Sequence, residues 1–202
     1  MTKQIVLLSG GIDSTVLLYK QVFRAPHDVE GLVIQMPTKH LTPISELYIG
    51  QICHKLKVSY SKIMIKIPIE LVYKGELQQI LGRNFVLLST AAMFGASRYP
   101  EQEVDILIGL TASDAEYFDA TSNILNKFDY IIGNCTLDRV RIEAPFIHMT
   151  KTDVVQLGHE LKVPFELTWS CYQNGEHHCC KCHACLERIK AFEEAGLPEV
   201  MP

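Results

Sequence analysis

Residues 9–15 read SGGIDST and stand between a short apolar run at residues 4–8 (QIVLL) and a helical spacing of apolar side chains over 13–23. Two glycines let the backbone turn sharply and bring bare N–H groups up to an anion, because no Cβ is in the way. The helix that follows directs its free N–H groups and about half a positive charge at the same place. The stretch therefore predicts a strand–turn–helix unit whose turn binds phosphate. The alternative is a turn in which the glycines only relieve strain and Asp13 caps the helix.

Outward from this unit, the chain alternates apolar, strand-like runs with helical patterns. Thr42 before Pro43, and the pair Thr150 and Asp153, are typical of helix starts. Repeated strand–helix units predict an α/β fold with a doubly wound, mostly parallel sheet covered by helices on both faces. The predicted strands lie at residues 4–8, 31–36, 61–69, 104–110 and 139–143, and the predicted helices at 13–23, 43–56, 85–98, 122–131 and 151–161.

The composition of the 202 residues, 48% apolar and 21% charged, is typical of a globular protein with a sizeable core and excludes a disordered or fibrous chain. A count of 19 basic and 23 acidic residues gives a net charge of −4, which disfavours stable binding to nucleic acid. No apolar run reaches the ~18–20 residues of a membrane span. A strand begins too near the N-terminus to leave room for a signal peptide. We therefore expect a cytoplasmic protein that does not associate with membranes.

Five of the seven cysteines fall within residues 171–185, with a spacing that is typical of a metal site. The predicted ligands are Cys171, Cys179, Cys182 and Cys185. Four thiolates at Zn–S distances of ~2.3 Å form a closed tetrahedral shell, so we expect one structural Zn²⁺ that ties the C-terminal helix to the core. Cys180, His177, His178 and His183 are competing ligands. An iron–sulfur cluster or a set of free thiols are the alternatives to zinc.

The glycine turn lacks the Gly-Lys-Ser/Thr ending of Walker-type loops and resembles instead the PP-loop of the ATP-pyrophosphatase superfamily. Members of that superfamily split ATP to AMP and pyrophosphate and adenylate an oxygen of their substrate. The resemblance implies an adenine-nucleotide alpha-hydrolase-like (Rossmann-like) fold, with a PP-loop domain over residues 1–163 and a zinc knuckle with a helix over 164–202. It also implies ATP and Mg²⁺ as cofactors. The implied ATP-binding residues are Leu8, Ser9, Gly10, Gly11, Ile12, Asp13, Ser14 and Thr15.

A second resemblance is carried by segments spread over most of the chain. They are Gly82-Arg83-Asn84, RIEAP at 141–145, Thr150-Lys151, WSCY at 169–172, HCCKCHAC at 178–185 and Glu187-Arg188. These segments resemble the QueC family of 7-cyano-7-deazaguanine synthases. Family members use ATP to convert 7-carboxy-7-deazaguanine and ammonia to the nitrile, through adenylate and amide intermediates, in queuosine biosynthesis. The resemblance implies a ligase that forms carbon–nitrogen bonds on a small molecule, and a homodimer.

The QueC resemblance also implies residues for the active site. It implies Asp13, Arg83 and Lys151 as catalytic residues, and His40, Arg83, Asp114 and Asp119 as substrate-binding residues. Arg83 and Lys151 are expected to bind phosphate or the substrate carboxylate, since arginine offers a planar fork and lysine a point charge. The two aspartates can each accept two parallel N–H bonds from a guanine-like edge. The alternatives are salt-bridged or solvated cations, helix-capping aspartates and an ordinary solvated histidine.

The chain also departs from the family pattern. Residues 36–40 read MPTKH where the family has a YGQRH-like stretch, and the loop at 114–121 lacks the family's arginine. Cys180 stands where the family has a glycine between two cluster ligands. These departures leave open an enzyme that stops at the amide or uses another amine acceptor. A tRNA-modifying adenylase or thiolase of the same superfamily is a further alternative.

Overall fold

The computed structural model describes residues 2–36, 42–66, 82–173 and 175–199. Within these ranges the chain alternates strands and helices as the sequence predicts. The strands are β1 (Lys3–Leu7), β2 (Val29–Gln35), β3 (Tyr60–Met64), β4 (Val104–Leu107) and β5 (Val140–Glu143). The helices are α1 (Ile12–Arg24), α2 (Pro43–Leu56), α3 (Arg83–Arg98), α4 (Ser122–Cys135), α5 (Lys151–Glu160) and α6 (His183–Glu194). Among the described residues, no helix has the length and apolar composition needed to cross a membrane.

The strands form one parallel sheet in the order β3-β2-β1-β4-β5. The chain runs outward from β1 through β2 to β3 and then returns to the other side of β1 to form β4 and β5. The direction of winding therefore reverses between β1 and β4. In open α/β sheets the carboxyl ends of the strands at such a reversal form the usual crevice for a ligand. The predicted doubly wound α/β fold is confirmed.

The core has two layers because successive side chains of a strand point to opposite faces of the sheet. Along β1, Ile5 and Leu7 pack in one apolar cluster and Val6 packs in the other. The cluster around Val6 includes buried residues of α1, α2, α5 and α6. The cluster around Ile5 includes buried residues of α3 and α4. Helices therefore cover both faces, and α6 is part of the main core.

Two predicted helix starts are confirmed in atomic detail. The Thr42 Oγ1 accepts a hydrogen bond from the Ser45 backbone N–H at 3.1 Å, and Pro43 is the first residue of α2. The Thr150 Oγ1 accepts from the Asp153 N–H at 3.1 Å at the start of α5. Such caps depend only on residues three apart in the chain, so the sequence alone can reveal them.

Several predicted boundaries differ from the structure: the helix predicted over 122–131 continues to Cys135, and two predicted strands are shorter than expected. The strand predicted over 104–110 ends at Leu107; Ile108 still donates to the Glu143 carbonyl oxygen at 3.0 Å, and Gly109 then packs against the backbone at the start of α1. The strand predicted over 61–69 runs from Tyr60 to Met64, and residues 67–69 lie outside the described ranges. The division into domains at residue 163 stays a prediction.

Candidate active site and metal centre

A cavity of about 310 Å³ opens at the carboxyl ends of β1 and β4, where the direction of winding reverses. It brings together six parts of the chain that are far apart in sequence: the glycine turn, the end of β2, the start of α3, the segment after β4, the start of α5, and the segment around the cysteines. The charged and aromatic side chains that line it are Asp13, Arg83, Asp114, Tyr117, Lys151, Trp169, Tyr172, His183 and Glu187. The cavity therefore contains both anion-binding and cation-binding groups.

The glycine turn at residues 9–11 needs glycine at position 10, because the backbone there has a positive φ and no room for a side chain. Gly10 has φ +79°, and a Cβ built on it would lie 2.8 Å from the Cβ of Ser45 and 2.9 Å from the carbonyl oxygen of that residue. The Gly10 carbonyl oxygen accepts a hydrogen bond from the Trp169 N–H at 2.8 Å. The turn is thus held between α2 and the C-terminal segment.

Helix α1 begins at this turn without a side-chain cap, since Gly11 is the N-cap residue and makes no such bond. Its first N–H groups are therefore available for a ligand, and the helix dipole favours an anion there. The Ser14 Oγ donates to the Gly11 carbonyl oxygen at 3.2 Å and braces the turn from inside. Among the predicted ATP-binding residues, Leu8, Ser9, Gly11, Ile12, Asp13 and Ser14 line the cavity, whereas Gly10 faces α2 and Thr15 is buried.

Asp13 and Lys151 form an ion pair at the side of the turn, although 138 positions separate them in the chain. Burial raises the pKa of Asp13 above its ordinary value, and the Lys151 ammonium opposes this rise. The other oxygen, Asp13 Oδ1, is buried and has no hydrogen-bond partner among the described residues. A free carboxylate oxygen in an anion site suits a hard cation such as Mg²⁺, which prefers oxygen ligands.

Arg83 and Asp114 both line the cavity but differ in their contacts. Arg83 is the first residue of α3 and makes no hydrogen bond or ion pair with any residue that the structure describes. The Asp114 Oδ2 accepts from the Thr111 N–H at 2.7 Å and from the Thr111 Oγ1 at 2.9 Å. Arg83 is therefore available for an anionic ligand, whereas one oxygen of Asp114 already caps a short helical turn.

Asp119 does not itself line the cavity, but it contacts the lining residue Asn84. Its Oδ2 accepts from the Asn84 backbone N–H at 2.9 Å, so it caps the N-terminus of α3. The observed contacts are those of the capping alternative, and the substrate role of Asp119 rests on the family resemblance alone. His40 lies outside the described residues, so its substrate role stays a prediction.

The structure adds cavity residues from the C-terminal segment that the sequence did not assign to the active site. Trp169 and Tyr172 flank the first cysteine ligand, and Glu187 projects from α6 into the same space as His183. Burial raises the pKa of Tyr172, and the neighbouring Arg83 guanidinium partly opposes this rise. Trp169, Tyr172 and His183 fall within the WSCY and HCCKCHAC segments, and Glu187 follows them; the sequence linked these segments to the metal site and the family resemblance but assigned none of the four residues to the active site. The structure shows that these residues also line the cavity.

The four predicted metal ligands come together as one group. The Sγ atoms of Cys171, Cys179, Cys182 and Cys185 all lie within 4.8 Å of one another. A tetrahedral site with Zn–S distances of ~2.3 Å has sulfur–sulfur edges of about 3.8 Å. Two of the observed edges are 3.9 Å and 3.4 Å. The donor set therefore fits one tetrahedral metal ion.

Two of the competing ligands point elsewhere. Cys180 is exposed, lies outside the four-sulfur group, and has φ +56°, a conformation in which glycine is more stable. This explains the glycine that the family has at that position. His178 is buried, and its Nε2 accepts from the Ser170 N–H at 3.3 Å. Burial lowers the pKa of His178 to about 4, and the nearby Arg188 guanidinium adds to the shift.

Solved structures similar to this chain share its fold. One is the U34-tRNA thiolase NcsA from Methanococcus maripaludis with its 4Fe-4S cluster, at a TM-score of 0.56 and 12% identity, covering 96% of this chain and 67% of that one. Another is NMN synthetase from Francisella tularensis, at a TM-score of 0.54 and 13% identity, covering 98% of this chain and 79% of that one. At these identities the similarity concerns the fold alone.

Sequence comparison is more specific. The family model described as Queuosine biosynthesis protein QueC matches residues 3–196. The chain is 32% identical to 7-cyano-7-deazaguanine synthase from Archaeoglobus fulgidus, with 98% of this chain and 88% of that protein covered. It is 30% identical to the protein of the same name from Caldicellulosiruptor bescii, with 98% and 95% covered. The predicted resemblance is confirmed, and the chain belongs to the QueC family.

Proposed function

We propose that this chain is a 7-cyano-7-deazaguanine synthase, an ATP-dependent ligase that forms carbon–nitrogen bonds from 7-carboxy-7-deazaguanine and ammonia. The observation that carries the proposal is one cavity in which the glycine turn, the Asp13–Lys151 pair and Arg83 meet. An anion-binding turn and the separate Arg83 guanidinium, which has no ion-pair partner in the described part of the chain, suit two anions, a nucleotide phosphate and a substrate carboxylate. Family membership supplies the identity of the substrate.

The ATP phosphates would bind at the turn, where the first N–H groups of α1 are free. Lys151 would place its ammonium beside the same phosphates, held in position by Asp13. Asp13 Oδ1 would hold Mg²⁺, which supplies neutralisation of phosphate charge when bound. Arg83 would bind the substrate carboxylate, since a guanidinium can form two parallel hydrogen bonds to it.

The chemistry follows from the carboxylate being a poor acyl donor. Attack of a carboxylate oxygen on the α-phosphorus of ATP forms an adenylate and releases pyrophosphate. Ammonia then displaces AMP and loses a proton, which gives the amide. A second adenylation, on the amide oxygen, converts that oxygen into a leaving group. Loss of AMP together with the two amide protons leaves the nitrile. The protein contributes mainly orientation of the reactants and stabilisation of phosphate charge.

The four-cysteine group would hold one structural Zn²⁺, because a closed shell of four thiolates leaves no position open for a substrate. We expect the enzyme to act in the cytoplasm on a free heterocycle, as a homodimer and without stable binding to nucleic acid. The family resemblance supports the dimer, and the net charge of −4 supports the absence of nucleic acid.

Mass spectrometry of the products tests the proposal. Purified protein is incubated with 7-carboxy-7-deazaguanine, ATP, Mg²⁺ and ammonium, and pyrophosphate release is measured in parallel. We expect the nitrile, with AMP and pyrophosphate, and no product from Asp13→Asn with an unchanged metal content. An accumulated amide without nitrile would show a variant that stops halfway. Absence of pyrophosphate release by folded, metal-containing wild type would refute the proposed function.

A further inference from the structure

The charged side chains that line the cavity differ in whether they already have hydrogen-bond or ion-pair partners in the protein. Asp13 and Lys151 neutralise each other beside the glycine turn. Asp114 accepts two hydrogen bonds from Thr111. Glu187, in contrast, makes no hydrogen bond or ion pair with any of the residues that the structure describes. It is therefore the acidic side chain of this cavity that is left available for a ligand.

Helix α6 fixes the position of Glu187, although its carboxylate makes no hydrogen bond or ion pair within the described ranges. Glu187 is the fifth residue of α6, three positions after Ala184 and four after His183, and it shares the cavity-facing side of the helix with both residues. Arg188, the next residue, is fully buried, and its guanidinium donates to the Thr168 Oγ1 at 2.7 Å and to the Phe165 carbonyl oxygen at 3.0 Å. These bonds fix the backbone that carries the Glu187 carboxylate.

Glu187 and Arg83 form a complementary pair of unsatisfied charges on the cavity lining. No ion pair joins them among the described residues, so the two charges face the cavity without neutralising each other. A ligand that is anionic at one end and rich in N–H donors at the other would satisfy both. A deazaguanine that carries a carboxylate has this character, because its ring N–H and its exocyclic amino group are adjacent donors.

We propose that Glu187 determines specificity for the heterocycle, by accepting hydrogen bonds from the ring N–H and the exocyclic amino group of the deazaguanine. The inference rests on the proposed function and adds a recognition residue to it. A carboxylate matches two parallel donors with two acceptor oxygens, and such charge-assisted bonds are strong when partly buried. The same side chain disfavours a heterocycle that presents an acceptor at this edge, because the acceptor would face a negative charge without a hydrogen bond.

The test compares binding of two compounds to three proteins by calorimetry. The compounds are 7-carboxy-7-deazaguanine and its analogue without the exocyclic amino group. The proteins are wild type, Glu187→Gln, and Glu193→Gln as the matched control, since Glu193 is an exposed glutamate of the same helix outside the cavity lining. Binding of the Mg²⁺ complex of α,β-methylene-ATP is measured on each protein as well.

We expect Glu187→Gln to weaken binding of the deazaguanine about 10- to 100-fold, the range for loss of hydrogen bonds to a charged group. Binding of the analogue should change much less, so the ratio of the two affinities, deazaguanine over analogue, should be much smaller for Glu187→Gln than for wild type. Nucleotide affinity should stay unchanged, and Glu193→Gln should behave as wild type in every titration.

Three outcomes would overturn the assignment of Glu187. Equal deazaguanine affinity for wild type and Glu187→Gln would remove its recognition role and leave the proposed function intact. A loss confined to the nucleotide complex would make Glu187 a ligand for the nucleotide-bound cation instead. Failure of wild type to bind the deazaguanine at all, with nucleotide binding retained, would overturn both the assignment and the proposed function.

Discussion

Gly109, in the segment after β4, packs against the backbone at the start of α1, and replacing it with alanine is a direct test of the site. Its φ lies outside the left-handed region, so alanine can adopt the backbone conformation. A Cβ at this position would lie 3.0 Å from the carbonyl carbon of Asp13, 3.1 Å from the Ser14 nitrogen and 3.2 Å from the Asp13 oxygen. The atoms it meets belong to the backbone at the start of α1, which cannot turn aside as a side chain can.

The size of the effect follows from these distances. Ordinary contact begins at 3.4 Å, so the start of α1 must shift by up to about 0.4 Å. Overpacking of this kind costs about 1–3 kcal/mol of stability. A misplacement of 1 Å costs about 100-fold in a catalytic site, which scales to a loss of roughly fivefold to tenfold here. In a chain of this length, the stability loss corresponds to a fall of about 2–12 °C in Tm.

The assay is calorimetric titration with the Mg²⁺ complex of α,β-methylene-ATP, combined with thermal unfolding. Gly50→Ala is the matched control, since its added Cβ would meet only the Tyr60 hydroxyl at 3.5 Å. Alanine is favoured over glycine inside a helix, so this control should be slightly stabilised and should bind nucleotide as wild type does. If Gly109→Ala retains wild-type nucleotide affinity, the placement of the nucleotide at the turn is refuted.

Three further predictions concern other parts of the molecule. Arg188→Ala should lower the free energy of unfolding by about 3–5 kcal/mol in urea titration, because it removes a fully buried guanidinium and leaves its acceptors unpaired. The control Lys190→Ala, at an exposed residue of the same helix, should change the free energy of unfolding little. A loss below about 1 kcal/mol for Arg188→Ala would contradict the anchoring role of Arg188. Burial, with the neighbouring Glu143 and Glu103 carboxylates, raises the pKa of Asp105 to about 6. Its ionised form therefore destabilises the native state as pH rises from 4 to 6. Asp105→Asn should stabilise the protein at pH 7 by about 1 kcal/mol, after allowance for partial exposure, and the gain should vanish at pH 4 in thermal unfolding. Cys182→Ser should lower both bound zinc and Tm, whereas Cys180→Gly should keep the zinc and raise Tm by removing a strained backbone conformation; equal Tm values for the two variants would count against a structural metal.

Local signals in the sequence predicted the elements and part of the site. The Thr42 and Thr150 caps involve hydrogen bonds between residues three apart, and the structure has both. The cysteine spacing over 171–185 predicted the group of four sulfurs for the same reason, since three of the four ligands are near neighbours in the chain. The alternation of strand and helix predicted the parallel sheet, because parallel strands need long crossover connections.

The sequence also placed the glycine turn at the start of α1, yet it could not reveal what surrounds the turn. Strand order puts the end of β4 beside the turn and brings Gly109 against Asp13. Packing of the C-terminal segment places the Trp169 N–H on the Gly10 carbonyl oxygen. Neither contact has a local signature, because the partners are held together by the whole sheet and its covering helices.

For the side chains of the site, too, the sequence and the tertiary structure determined different things. The sequence by itself determined the chemistry available: an anion-binding turn, a tetrathiolate group, and a small set of cations and carboxylates. Only the tertiary structure decided which carboxylate forms an ion pair, which caps a helix and which is left for a ligand. It paired Asp13 with Lys151, placed Asp119 as a cap on α3, and left Glu187 in the cavity without a hydrogen-bond or ion-pair partner among the residues described. The physical reason is that dihedral preferences and capping act over a few residues, whereas these assignments depend on distances fixed by strand order and core packing.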